Sequence, residues 1–137
     1  MAEQPEQPHF SRLFTHAEAT ALLPIVRPHL QRLATMKGRL DAVQGEFNAL
    51  QQQARVNGHA KRAQELEKEL HALVHGLNTE IAAIHALGVQ VKDLAIGLVD
   101  FPSERDGHIV YLCWRMDESA IVAWHELDGG YPGRQSL

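Results

Sequence analysis

Only one cysteine, Cys113, occurs in the 137 residues. A lone thiol cannot close an internal disulfide, which points to a reducing cytoplasm. No apolar run approaches the ~18 residues of a membrane span, and no basic-then-apolar leader opens the chain, so a soluble cytoplasmic protein without a membrane partner is expected. A basic excess is missing as well. Thirteen Lys and Arg against 17 Asp and Glu leave a formal charge of -4, whereas a dedicated nucleic-acid binder usually carries surplus positive charge. There is no internal repeat, and Gln51-Gln52-Gln53 is the only low-complexity tract. What is present is ordinary globular material, 45% hydrophobic and 22% charged. The chain is long enough to bury a core without a metal or disulfide staple. One domain over 1–137 is expected.

Residues 1–9 are polar and include Pro5 and Pro8, the composition of a mobile tail. Phe10, Leu13 and Phe14 follow as apolar anchors. Thr15 and Glu18 have the capping-box spacing, in which the threonine oxygen accepts from the third helical amide and the glutamate reaches back. The first helix is predicted over 15–56. Pro24 and Pro28 fall inside it, each lacking an amide donor and each crowding the carbonyl four residues earlier, so a kink or break is predicted near 24–28. Farther on, Leu33, Leu40 and Phe47 recur every seventh residue, with Met36, Val43 and Leu50 as a second row, a short coiled-coil seam. Asn57-Gly58 reads as a turn. A second helix is predicted over 59–87, with Leu66, Leu70, Leu73, Leu77, Ile81 and Ile84 on one face and Gly88 as its stop. The short connection makes the pair an antiparallel hairpin. Two helices leave part of such a stripe uncovered, so a sheet, a second copy, or both are expected to cover it, with a homodimer through the helical seam as the partner reading.

After Gly88 the period changes from helical to alternating. Val89–Phe101, Ile109–Met116 and Ile121–Leu127 are rich in β-branched and aromatic residues and are separated by short polar connections. The resulting fold class is α+β: a long helical hairpin packed on a three-stranded antiparallel meander over 89–127, closed by a glycine-rich loop over 128–137. Pairing Phe101 with Ile109, and Leu112 with Trp124, satisfies both loop lengths. That register turns Ile96, Leu98, Leu112, Trp114, Val122 and Trp124 toward the helices. It sets Asp100 and Glu126 at the edge of the same face, and leaves Tyr111, Cys113 and His125 on the other.

Val91-Lys92-Asp93-Leu94, Gly97-Leu98-Val99-Asp100-Phe101-Pro102, Tyr111-Leu112-Cys113-Trp114-Arg115 and Trp124-His125-Glu126 together resemble the bacterial family catalogued as domain of unknown function 2203. The likeness runs from Phe14-Thr15 to Gly133-Arg134, and its specific part is the C-terminal third. His108 and Asp117 stand where the family pattern has arginine and glycine. The resemblance implies an uncharacterised protein and assigns no catalytic residue.

The C-terminal third also concentrates chemistry-bearing side chains. Cys113, His125 and a carboxylate from Asp100 or Glu126 are ordinary zinc ligands, although His125 and Glu126, adjacent on a strand, point to opposite faces. The favoured reading is a buried structural cysteine with a hydrogen-bonded histidine, so no cofactor is predicted; a transition metal such as zinc is the alternative. Cys113 and His125 also have the types of a nucleophile–base pair, but a mid-strand thiol is more often packing. Asp100 and Glu126 suit general acid/base work; neutralisation by Arg115, Lys92 or Arg134 is the competing reading, and it is preferred. Tyr111, Cys113, Arg115, Trp124 and Arg134 are the binding candidates, with Asp100, His125 and Glu126 as catalytic ones. His71 and His75, one turn apart on the second helix, form a further metal pair, set against a solvated flank. Arg55, His59, Lys61 and Arg62 make a basic hairpin tip, weakly suited to a phosphate backbone. The leading functional expectation is a homo-oligomeric interaction or scaffold module. A small metal- or acid/base-dependent enzyme comes second, and nucleic-acid binding third.

Overall fold

The computed structural model describes residues 10–53 and 59–137. The expected mobile tail over 1–9 and the turn at Asn57-Gly58 lie outside them. Helix α1 spans His16–Gln52 and α2 spans His59–Ala86; strands β1 (Gln90–Asp93), β2 (Leu98–Arg105), β3 (His108–Arg115), β4 (Ala123–His125) and β5 (Gln135–Ser136) follow. The strands form one antiparallel sheet in sequence order. The fold is α+β, a helical hairpin on an antiparallel sheet. Among the described residues no helix is long and apolar enough to cross a membrane.

The capping box at Thr15 and Glu18 is formed in both directions, with bonds of 3.1 and 3.0 Å. From there α1 runs through 37 residues, about 55 Å. The helix is continuous through 24–28, with Pro24 and Pro28 both inside it, so the first segment is not broken there. The carbonyls they deprive of donors belong to Thr20 and Pro24, both exposed, so water can satisfy them and the helix need not open. Leu30, Leu33, Leu77 and Ile84 are buried between the helices and the sheet. Along one flank, Glu80 joins Arg32 and His29, Glu69 joins Arg39, and Glu46 joins Arg62. Arg32, Arg39 and Glu46 are seven residues apart, so these cross-helix pairs mark the antiparallel register as rungs do. The same pairs give Arg32, Arg39 and Arg62 carboxylate partners within the fold.

The sheet has five strands where three were expected, and two local signals account for the difference. The carboxylate of Asp93 accepts from the amides of Ala95 and Ile96 at 2.9 and 3.2 Å, and Gly97 follows at φ 66°. That turn splits the run 89–101 into β1 and β2. In the tail, Leu137 donates to the Val122 carbonyl at 3.0 Å, and Gln135–Ser136 pair with β4.

The register of β2 on β3 also differs from expectation. Phe101 pairs with Leu112, not Ile109, and the ladder continues to Arg105 opposite His108. Asp106 and Gly107 alone form the turn, at φ 52° and 82°, the left-handed pair a two-residue hairpin requires. The Phe101 partner shifts by three residues, an odd number, so every side chain of β2 changes face. Val99 and Phe101 therefore join Leu112, Trp114, Ile121 and Trp124 against the helices, while Ile96 and Val122 are exposed and Asp100 turns to the other face. Pro102 is tolerated inside β2 because its carbonyl faces away from β3, accepting from the Phe14 amide at 2.7 Å. The missing amide hydrogen lies on that same side, beyond the end of β1, where no ladder bond is lost.

Candidate functional site

On the sheet face away from the helices, Asp100 of β2 stands directly across from Cys113 of β3, and Tyr111 across from His125 of β4. A carboxylate oxygen, the thiol sulfur and an imidazole nitrogen thereby come within 4.8 Å of one another. The three residues expose 2%, 0% and 2% of their surface for Asp100, Cys113 and His125, so they form a closed polar cluster.

His125 is held at both ring nitrogens. Nδ1 lies 2.7 Å from the carbonyl oxygen of Glu126, and Nε2 lies 3.0 Å from Oδ1 of Asp100. A carbonyl only accepts, so Nδ1 carries a proton and donates it. The contact between Nε2 and the carboxylate then requires one further proton shared between those two atoms. The thiol of Cys113 lies within 4.8 Å of the same carboxylate. Burial pushes the Asp100 carboxyl above its ordinary value, against the pull of His125 and Lys92. Burial, reinforced by the Asp100 charge, pushes the Cys113 thiol up to about 12. A thiol so strongly protonated is no nucleophile at neutral pH.

This elevation has a direct consequence for stability. A thiol raised from 9.0 to about 12 on folding contributes stability that is full below pH 9 and is lost as pH climbs toward 12. Unfolding free energies of the native chain and Cys113→Ala, compared across that window, are expected to converge by on the order of 1 kcal/mol per pH unit. A constant difference would mean that the thiol is solvated.

The neighbours of the cluster come from both ends of the chain. The Tyr111 ring packs on His125 with centroids 5.4 Å apart and meets Phe10 edge-on at 5.8 Å, while the Lys92 ammonium stands 4.9 Å from its centroid. Burial raises the Tyr111 phenol also. Arg134 donates to the Cys113 carbonyl at 3.2 Å and to both oxygens of Glu118 at 2.8 and 3.0 Å.

The candidates read from the sequence therefore divide. Asp100, Tyr111, Cys113 and His125 assemble, and Arg134 borders them. Arg115 turns away to Asp117 and the Tyr131 hydroxyl. Trp124 packs on the helix side beneath Arg105. Glu126 is on that side too, 3.3 Å from His108. The expected row of Asp100 with Glu126 is thus overturned by the β2 register, and with it their acid/base pairing. His71 and His75 are exposed on α2 and belong to no three-ligand group among the described residues. Glu118 and Gln90 were not anticipated. Glu118 carries no local signal in the sequence, and Gln90 becomes Asp100's neighbour only once β1 is recognised as a strand.

The family model described as Uncharacterized conserved protein (DUF2203) matches residues 12–137. The chain belongs to the DUF2203 family. The match includes both helices and every strand, so the polar cluster lies within the family's own domain. No curated protein and no solved structure matches this DUF2203 chain.

Proposed function

We propose that this protein is a homo-oligomeric interaction module whose helical hairpin is the contact element. The observation that carries this reading is the arm beyond the sheet. Past Leu40 on α1 and before Leu77 on α2, no side chain among the described residues belongs to the central core, and among them only Val43 and Leu66 are fully buried. Leu40, Phe47, Leu50, Leu70 and Leu73 remain half-buried, and Val74 is exposed. Two helices alone cannot cover such a seam, whereas a two-fold pair of hairpins would enclose it as a four-helix bundle.

Charge supports a second copy as the occupant. Residues 36–53 and 59–76 hold five Lys and Arg (Lys37, Arg39, Lys61, Arg62, Lys68) and five Asp and Glu (Asp41, Glu46, Glu65, Glu67, Glu69). With Arg55 between them in the sequence, the arm carries a net charge of only +1 in a chain of charge -4, so two arms meet with little net repulsion. Catalysis at the polar cluster would require substrate to touch groups that expose at most 2% of their surface, which favours the non-catalytic reading.

Light scattering at micromolar concentrations is the test. A mass of twice 15.3 kDa is expected, falling to the single-chain value in Val74→Glu on the arm. The mass should be unchanged in Ile25→Glu, a similarly exposed position outside the arm. A single-chain mass throughout, or a dimer indifferent to Val74→Glu, removes the proposal.

A further inference from the structure

We propose that Asp100, Cys113 and His125 form a closed site for one divalent transition-metal ion, with zinc preferred. The donor set is carboxylate, thiolate and imidazole, each an ordinary zinc ligand. A tetrahedral centre with bonds of about 2.0–2.3 Å places its donors roughly 3.3–3.8 Å apart. The three donor atoms already lie within 4.8 Å, and His125 and Asp100 are at 3.0 Å, so side-chain adjustments on the order of 1 Å reach that geometry.

Orientation is also in place. A metal-binding imidazole usually donates its other ring proton to a carbonyl or carboxylate, which fixes the ring and its tautomer. Here Nδ1 is tied to the Glu126 carbonyl, so Nε2 is the nitrogen facing the other two donors. The sulfur donor argues for zinc or a similar borderline ion over magnesium and calcium, which take oxygen ligands.

Charge arithmetic favours the same conclusion. One divalent ion with a thiolate, a carboxylate and a neutral imidazole sums to zero, the least costly state for a buried site. Uptake exchanges the ion for two protons: the thiol proton, and the one shared by Asp100 and His125. Both pass to solvent, and nothing is oxidised or reduced. Nearby cations do not override this balance. Arg134 is neutralised by Glu118, and Lys92 is exposed over Tyr111, where water screens it. No fourth His, Cys, Asp or Glu joins the group among the described residues, so water completes the coordination.

Cys113 is the only cysteine of the chain, which makes cobalt a specific probe because a thiolate-to-cobalt absorption band can arise at this site alone. The full chain is unfolded, refolded with excess Co2+ and passed through gel filtration, so that burial cannot block entry. One retained cobalt per chain with a thiolate band in the near ultraviolet is expected, along with displacement of cobalt by zinc. Cys113→Ser, with its fold checked by circular dichroism, should lose the band, whereas the His71→Ala/His75→Ala double variant should keep it. Absence of the band in the native chain overturns the proposal whatever the variants do. So does cobalt retained without it, or a band that disappears with His71 and His75. The site does not depend on the arm, since these outcomes read the same in a single chain as in a dimer.

Discussion

Asp100→Ala is expected to lower the unfolding free energy of the metal-free protein by about 3–5 kcal/mol, the range for removing one partner of a buried charge pair. The cost arises less from lost attraction than from what is left behind. Without the carboxylate, Nε2 of His125 loses its partner inside a closed layer beside the Cys113 thiol, and it cannot reach water. Asp100→Asn should cost far less, about 1 kcal/mol, because its amide can donate to Nε2 while Nδ1 keeps its bond to Glu126. Denaturant unfolding in the presence of chelator measures both. A cycle with His125→Ala should show coupling of roughly 1–3 kcal/mol. Equal losses for alanine and asparagine would reduce Asp100 to a space-filling role.

The pH dependence of this contribution has a definite sign. Burial holds the Asp100 carboxyl above its ordinary value of 3.8. The stability gained from binding that proton is full below pH 3.8 and is lost as pH rises through the elevated folded value. Asp100→Asn removes the titrating group. Its deficit relative to the native chain should therefore be largest in acid and shrink as pH rises, the reverse of the behaviour of a salt-bridged surface aspartate.

Much of the fold could be read locally, because the decisive features are short-range. Thr15 with Glu18, the leucine rows and Gly88 each act within a turn or two of helix. The β3–β4 pairing was legible for the same reason: Leu112 and Trp124 are large, apolar, and separated by a short polar loop. The site was lost through β2. Reading Ser103 to Gly107 as one connection ignored that Asp106-Gly107 is by itself a sufficient turn, and an odd register error moves an entire strand to the wrong face. That register puts Asp100 on the face opposite Cys113 and His125, so only residue type, and not strand geometry, groups the three. Arg134 was legible as a binding candidate, but its Glu118 partner was not. That pairing depends on how the tail folds back, which no periodicity records.

The opposite face of β3 carries the second large effect. Trp114 is wholly buried, the largest of the fully buried side chains, and Trp114→Ala is expected to cost about 3–5 kcal/mol. The loss should exceed that of a simple cavity because the indole also organises the following loop. Its Nε1–H donates to the Glu118 carbonyl at 3.1 Å, and the Arg27 guanidinium stands 4.8 Å from the ring centroid while donating to the carbonyls of Met116 and Glu118. The Glu118 side chain in turn accepts from the Arg115 amide and from Arg134. Trp114→Phe keeps most of the buried area and loses the donor, so about 1–2 kcal/mol is expected. Amide hydrogen exchange at Arg115 and Glu118 should rise much more in the alanine variant than in the phenylalanine one. Equal exchange in the two would show that the loop holds itself. Combining Trp114→Ala with Asp100→Ala asks whether the two faces of the sheet are independent. Their side chains share no hydrogen-bond partner, so near-additive losses are expected. A strong departure from additivity would mean that Glu118 and Arg134, which connect the Trp114 loop to the Cys113 carbonyl, transmit packing on one face to the polar cluster on the other.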